Sequence, residues 1–350
     1  MLGLGGFVCG FVAGAAARYG QLCSMGAIED AIVAGNSRRL KAWGLALATA
    51  IVTTQAVIFF GLIDPSNSIY ATTKIDWPLA VAGGFLFGLG MALLGTCGFG
   101  LLVRLGGGDL RAFFSTILLG IVAFTVNSGV LSSFRTYISQ MSVIEVATPD
   151  RALLPNLLAS SLGTIAAVLI CGFIICFLVS SALSDGRLLR RPRLMISSVA
   201  VGLAITGGWI VTGMAYNDME TAHIESLSFV SPAGRAILQF MSNELRDVDF
   251  SILSLVGVVC GSFFTALIVD EFQWEAFDDA RETRRHIIGA ALMGSGGILA
   301  KGCTIGQGLS AGSLMALTTP MVITGILIGA WLGLVILLSE SRGALIGWRS

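Results

Sequence analysis

Charge is what this 350-residue chain has least of. Asp, Glu, Lys and Arg make up 12% of it, against roughly 25% in a soluble globular domain. Hydrophobic residues make up 55%, and the mean hydropathy is +0.86. Acids and bases balance at 21 each, so a basic surface for nucleic acid is not indicated. Histidine is nearly absent, with only His223 and His286, and the seven cysteines are odd in number and scattered. That argues against a cysteine-histidine zinc site and against a disulfide framework, and no cofactor is expected. No Asp-Glu pair or His relay falls within an apolar run, so proton coupling through buried carboxylates has no support.

What fills the chain instead is long uncharged runs. They cover 42–63, 77–103, 112–134, 152–184, 194–217, 250–269 and 302–339, and a membrane-spanning helix needs roughly 20 such residues. Two shorter apolar segments, 1–17 and 286–300, each open a longer glycine-rich unit and are counted as spans. The first is a poor signal peptide, because no Lys or Arg precedes it. The expectation is an all-α polytopic membrane protein with about nine transmembrane helices, at 2–20, 41–63, 77–96, 112–133, 153–181, 194–214, 250–270, 286–301 and 313–338. With nine spans, fourteen basic residues lie on one side, among them Arg38, Arg39, Arg187, Arg191, Arg284 and Arg349. Six lie on the other, among them Lys74, Arg135, Arg151, Arg246 and Lys301. The positive-inside rule then puts the N-terminus outside and the C-terminus in the cytoplasm. In the acidic outer loop 218–249, Ser231-Pro232 has the form of a helix start, Ser as N-cap and Pro at the first helical position. The amphipathic AGRAILQFM that follows reads as a short helix lying at the outer interface.

A repeat runs through the chain. A shift of 206 residues lays GGFLFGLGMALLGTCGFGLLVRLG (83–106) over GAALMGSGGILAKGCTIGQGLSAG (289–312). It pairs Cys97 with Cys303 and five glycines with glycines. Five spans separate the two copies, so they point in opposite directions, as in the inverted repeats of many transporters. The chain then reads as one membrane domain over 1–350, with 1–134 as the first copy, 152–184 as a linking helix and 193–339 as the second copy.

Cys9, Cys171, Cys176 and Cys260 sit in uniformly apolar helices, where packing is the expected role. Cys23, Cys97 and Cys303 differ, since each follows a span and opens a polar or glycine-rich stretch, in QLCSMGAIED, GTCGFG and GCTIGQG. Cys97 and Cys303 stand in Cys-x-x-Gly where an apolar helix should end. The uncharged run 302–339 suits a re-entrant segment followed by a span, a backbone tolerated in a membrane only where protein or water surrounds it. Tips entering from opposite faces would meet near the middle. The N-H groups of Gly98, Phe99 and Gly100 and of Thr304, Ile305 and Gly306, with half-helix N-termini, would then favour an anion. Protonated thiols beside them suit a soft, sulfur-bearing anion. Lys301 and Arg18 are candidate electrostatic groups, although both positions also suit snorkelling at a helix end. Packing alone is the other reading of these glycines, and a redox pair of Cys97 and Cys303 is a further alternative, which needs their Cα atoms within about 7 Å.

Through ARYGQLCSMGAIED, GTCGFGLLVRLGGGDLRAF and KGCTIGQGLSAG, the sequence resembles the YeeE/YedE family of bacterial inner-membrane proteins over nearly its whole length. The resemblance implies an hourglass of nine spans with short re-entrant helices. It implies uptake of thiosulfate, handed inward by Cys303, Cys97 and Cys23 through transient S-H to sulfur hydrogen bonds. A cytoplasmic sulfur-carrier or sulfurtransferase partner is implied as well, and some relatives handle selenium compounds. The second copy has SLSFVSP where the first has Cys23, so an asymmetric path is expected. A membrane thiol oxidoreductase or sulfurtransferase and a structural scaffold are the alternatives.

Overall fold

A computed structural model of the chain describes residues 2–71, 74–141, 144–145, 152–184, 188, 190–216, 224–242 and 249–347. His223, Arg151, Arg187, Arg246, Arg349 and most acids of the outer loop lie outside the described residues. The helices are α1 (Leu2–Gly20), α2 (Ser24–Ile32), α3 (Arg38–Phe59), α4 (Trp77–Leu94), α5 (Gly98–Gly106), α6 (Leu110–Asn127) and α7 (Ser132–Met141). They continue as α8 (Leu154–Leu162), α9 (Thr164–Leu183), α10 (Pro192–Ala215), α11 (Val230–Ser242), α12 (Phe250–Ile268) and α13 (Ala280–Leu299). A π-helical turn (Gly306–Ala311) and α14 (Thr318–Gly347) follow. The only described strands are a two-residue antiparallel pair, Lys74–Ile75 with Ile144–Glu145.

Among the described residues, seven helical segments are long and apolar enough to cross a membrane, so this is a polytopic all-α membrane protein. They coincide with seven of the nine expected spans. Of the other two, the expected 153–181 is not one helix, since Gly163 (φ 91°) separates α8 from the apolar, 20-residue α9, and the second is α13. The latter begins at Ala280, ahead of the expected 286, because the charged ARETRR forms its first turns. His286 is buried there, its Nδ1 2.8 Å from Ser115 Oγ.

Glycine sets the packing. In α1, a Cβ at Gly6, Gly10 or Gly14 would lie 2.3, 2.1 and 2.2 Å from the carbonyl oxygens of Phe250, Ser254 and Val258 in α12. Gly257 and Gly261 press in return on Phe7 and Phe11. Both partners advance together in residue number, so α1 and α12 run parallel. By the same reading α4 and α14 are parallel, with Gly84 and Gly88 on Val322 and Ile326, and Gly325 and Gly329 on Val81 and Phe85. Gly83 meets Gly296 while Gly90 meets Gly289, so α4 and α13 are antiparallel. Lipid supplies no hydrophobic drive between helices, and such backbone approach secures dispersion contacts instead.

The contacts between the halves come in exchanged pairs. α1 packs on α12 and α3 on α10; α4 packs on α14 and α6 on α13; α1 meets α10, and α4 meets α13.

One expectation is overturned. The helix assigned to the outer interface, α11, starts at Val230 ahead of Pro232, and its N-terminal end is buried in the bundle, with Val230 1% and Ala233 6% exposed. The cause is a glycine crossing: Gly234 seats on the Gly120 carbonyl of α6. The segment leading to it, 225–229, is mostly buried too. Its carbonyls are held by hydroxyls, Thr212 donating to Glu225, Ser226 to Ile205 in return, and Ser310 to Leu227. Buried irregular backbone needs such partners.

Candidate functional site

Cys23, Cys97 and Cys303 share one local construction. Two residues before each, the chain enters the left-handed region, at Gln21 (φ 51°), Gly95 (φ 69°) and Lys301 (φ 55°). That turn closes the preceding helix. Leu22 N-H donates to the Ala17 carbonyl and Gly302 N-H to that of Gly297, the six-to-one bonds of a Schellman stop. Cys23 and Cys97 are then extended and occupy the N-cap of the next helix. Each of the three sulfurs accepts the amide of the glycine three residues on, Gly26, Gly100 or Gly306, at 3.4 Å. The amides of Gly100 and Gly306, expected to face an anion, are therefore turned onto sulfur. Gly98 and Phe99 remain at the first turn of α5, where N-H groups have no intrahelical acceptor. A thiol that accepts through its lone pair keeps its S-H to donate.

The fold brings these tips together. Cys23 Sγ lies 3.8 Å from Thr96 Oγ1, and the Cys97 thiol has Cys23, Ser24 and Thr304 as polar neighbours. Gly98 faces Val230, 3.6 Å from Cγ2 to the position a Cβ would take, and the rings of Phe99 and Phe229 stack at 5.1 Å. The backbone N-H of Phe229 points toward Cys303 sulfur. The N-terminal ends of α2, α5 and α11 and the start of the π turn thus converge, each helix end carrying a partial positive charge. The residue 206 positions beyond Cys23 is Phe229, one half of the aromatic stack. The arrangement is closed: Cys97 is 1% and Cys303 0% exposed, and Phe99 and Phe229 are buried between the tips.

The two charged candidates sit outside this cluster. Lys301 Nζ is 3.9 Å from Asp76 Oδ2, which also accepts from Ser139, and the lysine carbonyl accepts from Gln307 Nε2. Arg18 donates to the Glu271 carbonyl at 2.6 Å and pairs with its carboxylate at 3.6 Å. It borders an open cavity of about 490 Å³ with Arg104, Asp109, Asp270 and Glu275.

All seven cysteines are free thiols. Cys9 is buried in helix packing against Gly207, whereas Cys176 is exposed on the outer face of α9 and does not pack as expected. Among the described residues no His, Cys, Asp and Glu group is suited to hold a metal. The hydroxyls around the thiols, Ser24, Thr96, Thr304, Ser228 and Tyr70, escaped the sequence reading. Thr96 and Thr304 were visible as neighbours of their cysteines, and CSMG is a third Cys-x-x-Gly; Tyr70 belongs to no motif.

The profile of the family described as sulphur transport matches residues 19–332. The chain is 25% identical to the thiosulfate transporter TsuA of Escherichia coli K12, over 94% of this chain and 92% of that protein. It is 24% identical to the thiosulfate transporter TsuA of Spirochaeta thermophila, over 93% of this chain and 96% of that one. The chain belongs to the sulphur transport family, the YeeE/YedE membrane proteins.

Proposed function

We propose that the chain imports thiosulfate, or a closely related reduced-sulfur anion, across the bacterial inner membrane by relay between three protonated thiols, from Cys303 to Cys97 to Cys23. The observation that carries this reading is their common geometry. Each sulfur accepts a glycine amide at 3.4 Å, so its proton is available to the soft terminal sulfur of the ion. Converging helix N-termini offset the anion's charge, and Thr304 and Thr96 lie between successive thiols. No bond to sulfur forms, so the relay needs no redox partner. The closed tips must part for passage, as in alternating access.

The direction of the relay rests on topology. We read 1–134 and 193–339 as inverted copies, which the exchanged packing partners support. Parallel α1 and α12, and parallel α4 with α14, also support nine spans. Leaving out α9 alone would turn α1 and α12 antiparallel, and leaving out α13 alone would do the same to α4 and α14. Nine spans with a periplasmic N-terminus and a cytoplasmic C-terminus put Cys303 on the outer side and Cys23 on the inner. There the ion would pass to a cytoplasmic sulfur-carrier or sulfurtransferase protein.

The test is uptake of labelled thiosulfate by cells relying on this chain. Serine can accept the same glycine amide but removes the thiol, and a lost bond to a charged partner predicts a drop of about ten-fold or more in Cys97→Ser and Cys303→Ser. Normal uptake in both would sink the relay, and a persulfide trapped on either cysteine would favour sulfurtransfer.

A further inference from the structure

We propose that the hydroxyl of Tyr70 is a binding group for the oxygen end of the transported sulfur oxyanion, beside Cys303. The proposal rests on the thiosulfate reading above and adds a second, chemically different contact to it.

Tyr70 is 4% exposed, and its hydroxyl has no hydrogen-bond partner among the described residues. Buried tyrosine hydroxyls are normally paired, and one left unpaired opposes folding. The group is also held rigidly. Its ring meets Trp209 edge-on at 6.2 Å, and the indole Nε1 donates to Ser313 at 3.0 Å. Its backbone sits in a turn in which the Ala71 N-H donates to the carbonyl of Ser68 at 3.1 Å, and Ser68 bridges to Ile224. A rigid, buried, unsatisfied donor is the preorganised form of a binding group.

Its surroundings say what it would bind. The hydroxyl lies 3.2 Å, and Ser228 Oγ 2.9 Å, from where a Cβ of Gly306 would be. Gly306, having no side chain, therefore lets both hydroxyls close in on its backbone, and its amide donates to Cys303 sulfur. Burial pushes the Tyr70 phenol well above its usual range, so it remains a neutral donor. The nearby carboxylate of Glu225 is engaged by Ser251 and Arg235. Thiol and phenol together fit an ion with a soft sulfur at one end and hard oxygens at the other. The position related to Tyr70 by the 206-residue shift is Ala276, so only one face of the protein carries this contact.

The test uses purified full-length protein and titrates thiosulfate by calorimetry. Tyr70→Phe keeps the ring contact with Trp209 and removes only the donor. The expected result is a Kd raised by about ten-fold or more, with an unliganded melting temperature equal to or above that of the unaltered protein. Gly306→Ala, which presses a methyl group against both hydroxyls, should weaken binding likewise. Hydrosulfide, which has no oxygens, should compete equally well with both proteins. An unchanged Kd in Tyr70→Phe overturns the proposal, as does equal weakening of hydrosulfide. Cys303→Ser and Cys97→Ser run in parallel separate the two readings. If they lose affinity while Tyr70→Phe does not, only the tyrosine assignment fails; if all bind normally, the thiol site itself fails.

Discussion

Lys301 ends a helix in a conformation that glycine adopts freely and lysine does not. It holds φ at 55°, as Gln21 holds 51° in the first cysteine motif, whereas the counterpart before Cys97 is Gly95, at 69°. A side chain in the left-handed region costs about 1–2 kcal/mol, and glycine escapes that cost. Substituting Lys301 by Gly or by Ala removes the same ammonium and the same 3.9 Å approach to Asp76. The lysine side chain is 44% exposed, so that ion pair is worth at most about 1 kcal/mol. The difference between the two variants therefore isolates the backbone. Lys301→Gly should be the more stable by about 1 kcal/mol. Against the unaltered protein, the glycine variant gains roughly what it loses and should melt close to it. The alanine variant loses the pair, keeps the strain and should melt lower. Apparent melting temperatures in detergent at one fixed scan rate make the comparison, since the operational stability of such a protein is kinetic. An alanine variant at least as stable as the glycine variant would refute the reasoning. The same preparations decide what the charge does. Engaged with Asp76, Lys301 should act as an anchor, leaving the KM for thiosulfate uptake unchanged in both variants; a several-fold rise in both would make it a lure.

Gly10→Ala puts a methyl 2.1 Å from the Ser254 carbonyl and should destabilise the protein by about 1–3 kcal/mol through overpacking. Gly44→Ala, with nothing within 4 Å in α3, should instead stabilise it by up to about 1 kcal/mol; thermal melts that rank the two the other way would contradict the packing. Phe99→Ala removes one half of the 5.1 Å stack and should cost about 3 kcal/mol or more, while letting anions such as sulfate leak through proteoliposomes. A seal that stays tight would show that the stack is not the plug. With both thiols at 0–1% exposure, a water-soluble alkylating reagent should spare Cys97 and Cys303 in unliganded protein. Rapid labelling, read by mass spectrometry, would mean that the path is open at rest.

Much of the fold is legible in the sequence. The scarcity of charge and the length of the apolar runs dictate membrane helices, because in lipid a chain must satisfy its own backbone. Seven expected spans match helices that meet the requirement, most of their ends within a few residues. Cys23, Cys97 and Cys303 stood out because a polar, glycine-rich interruption is costly at that depth. Val230–Ser242 was misjudged for a definite reason. Its amphipathic pattern suits an interface, and nothing local reveals that Gly234 fits against Gly120, more than a hundred residues away.

The sequence by itself determined that the protein spans a membrane, where most of the spanning helices lie and where those before Cys23, Cys97 and Cys303 stop, since these follow from hydropathy and from glycine and cysteine chemistry along the chain. Only the tertiary structure decided which helices run parallel, how the tips converge and which hydroxyls surround the thiols. Neighbours across a bundle are fixed by crossings such as Gly10 on Ser254 and Gly88 on Ile326, and these join residues that no local pattern connects. Tyr70 belongs to that second class: an unremarkable loop residue in the sequence, it becomes an unpaired buried donor once Trp209, Ser228 and Gly306 surround it.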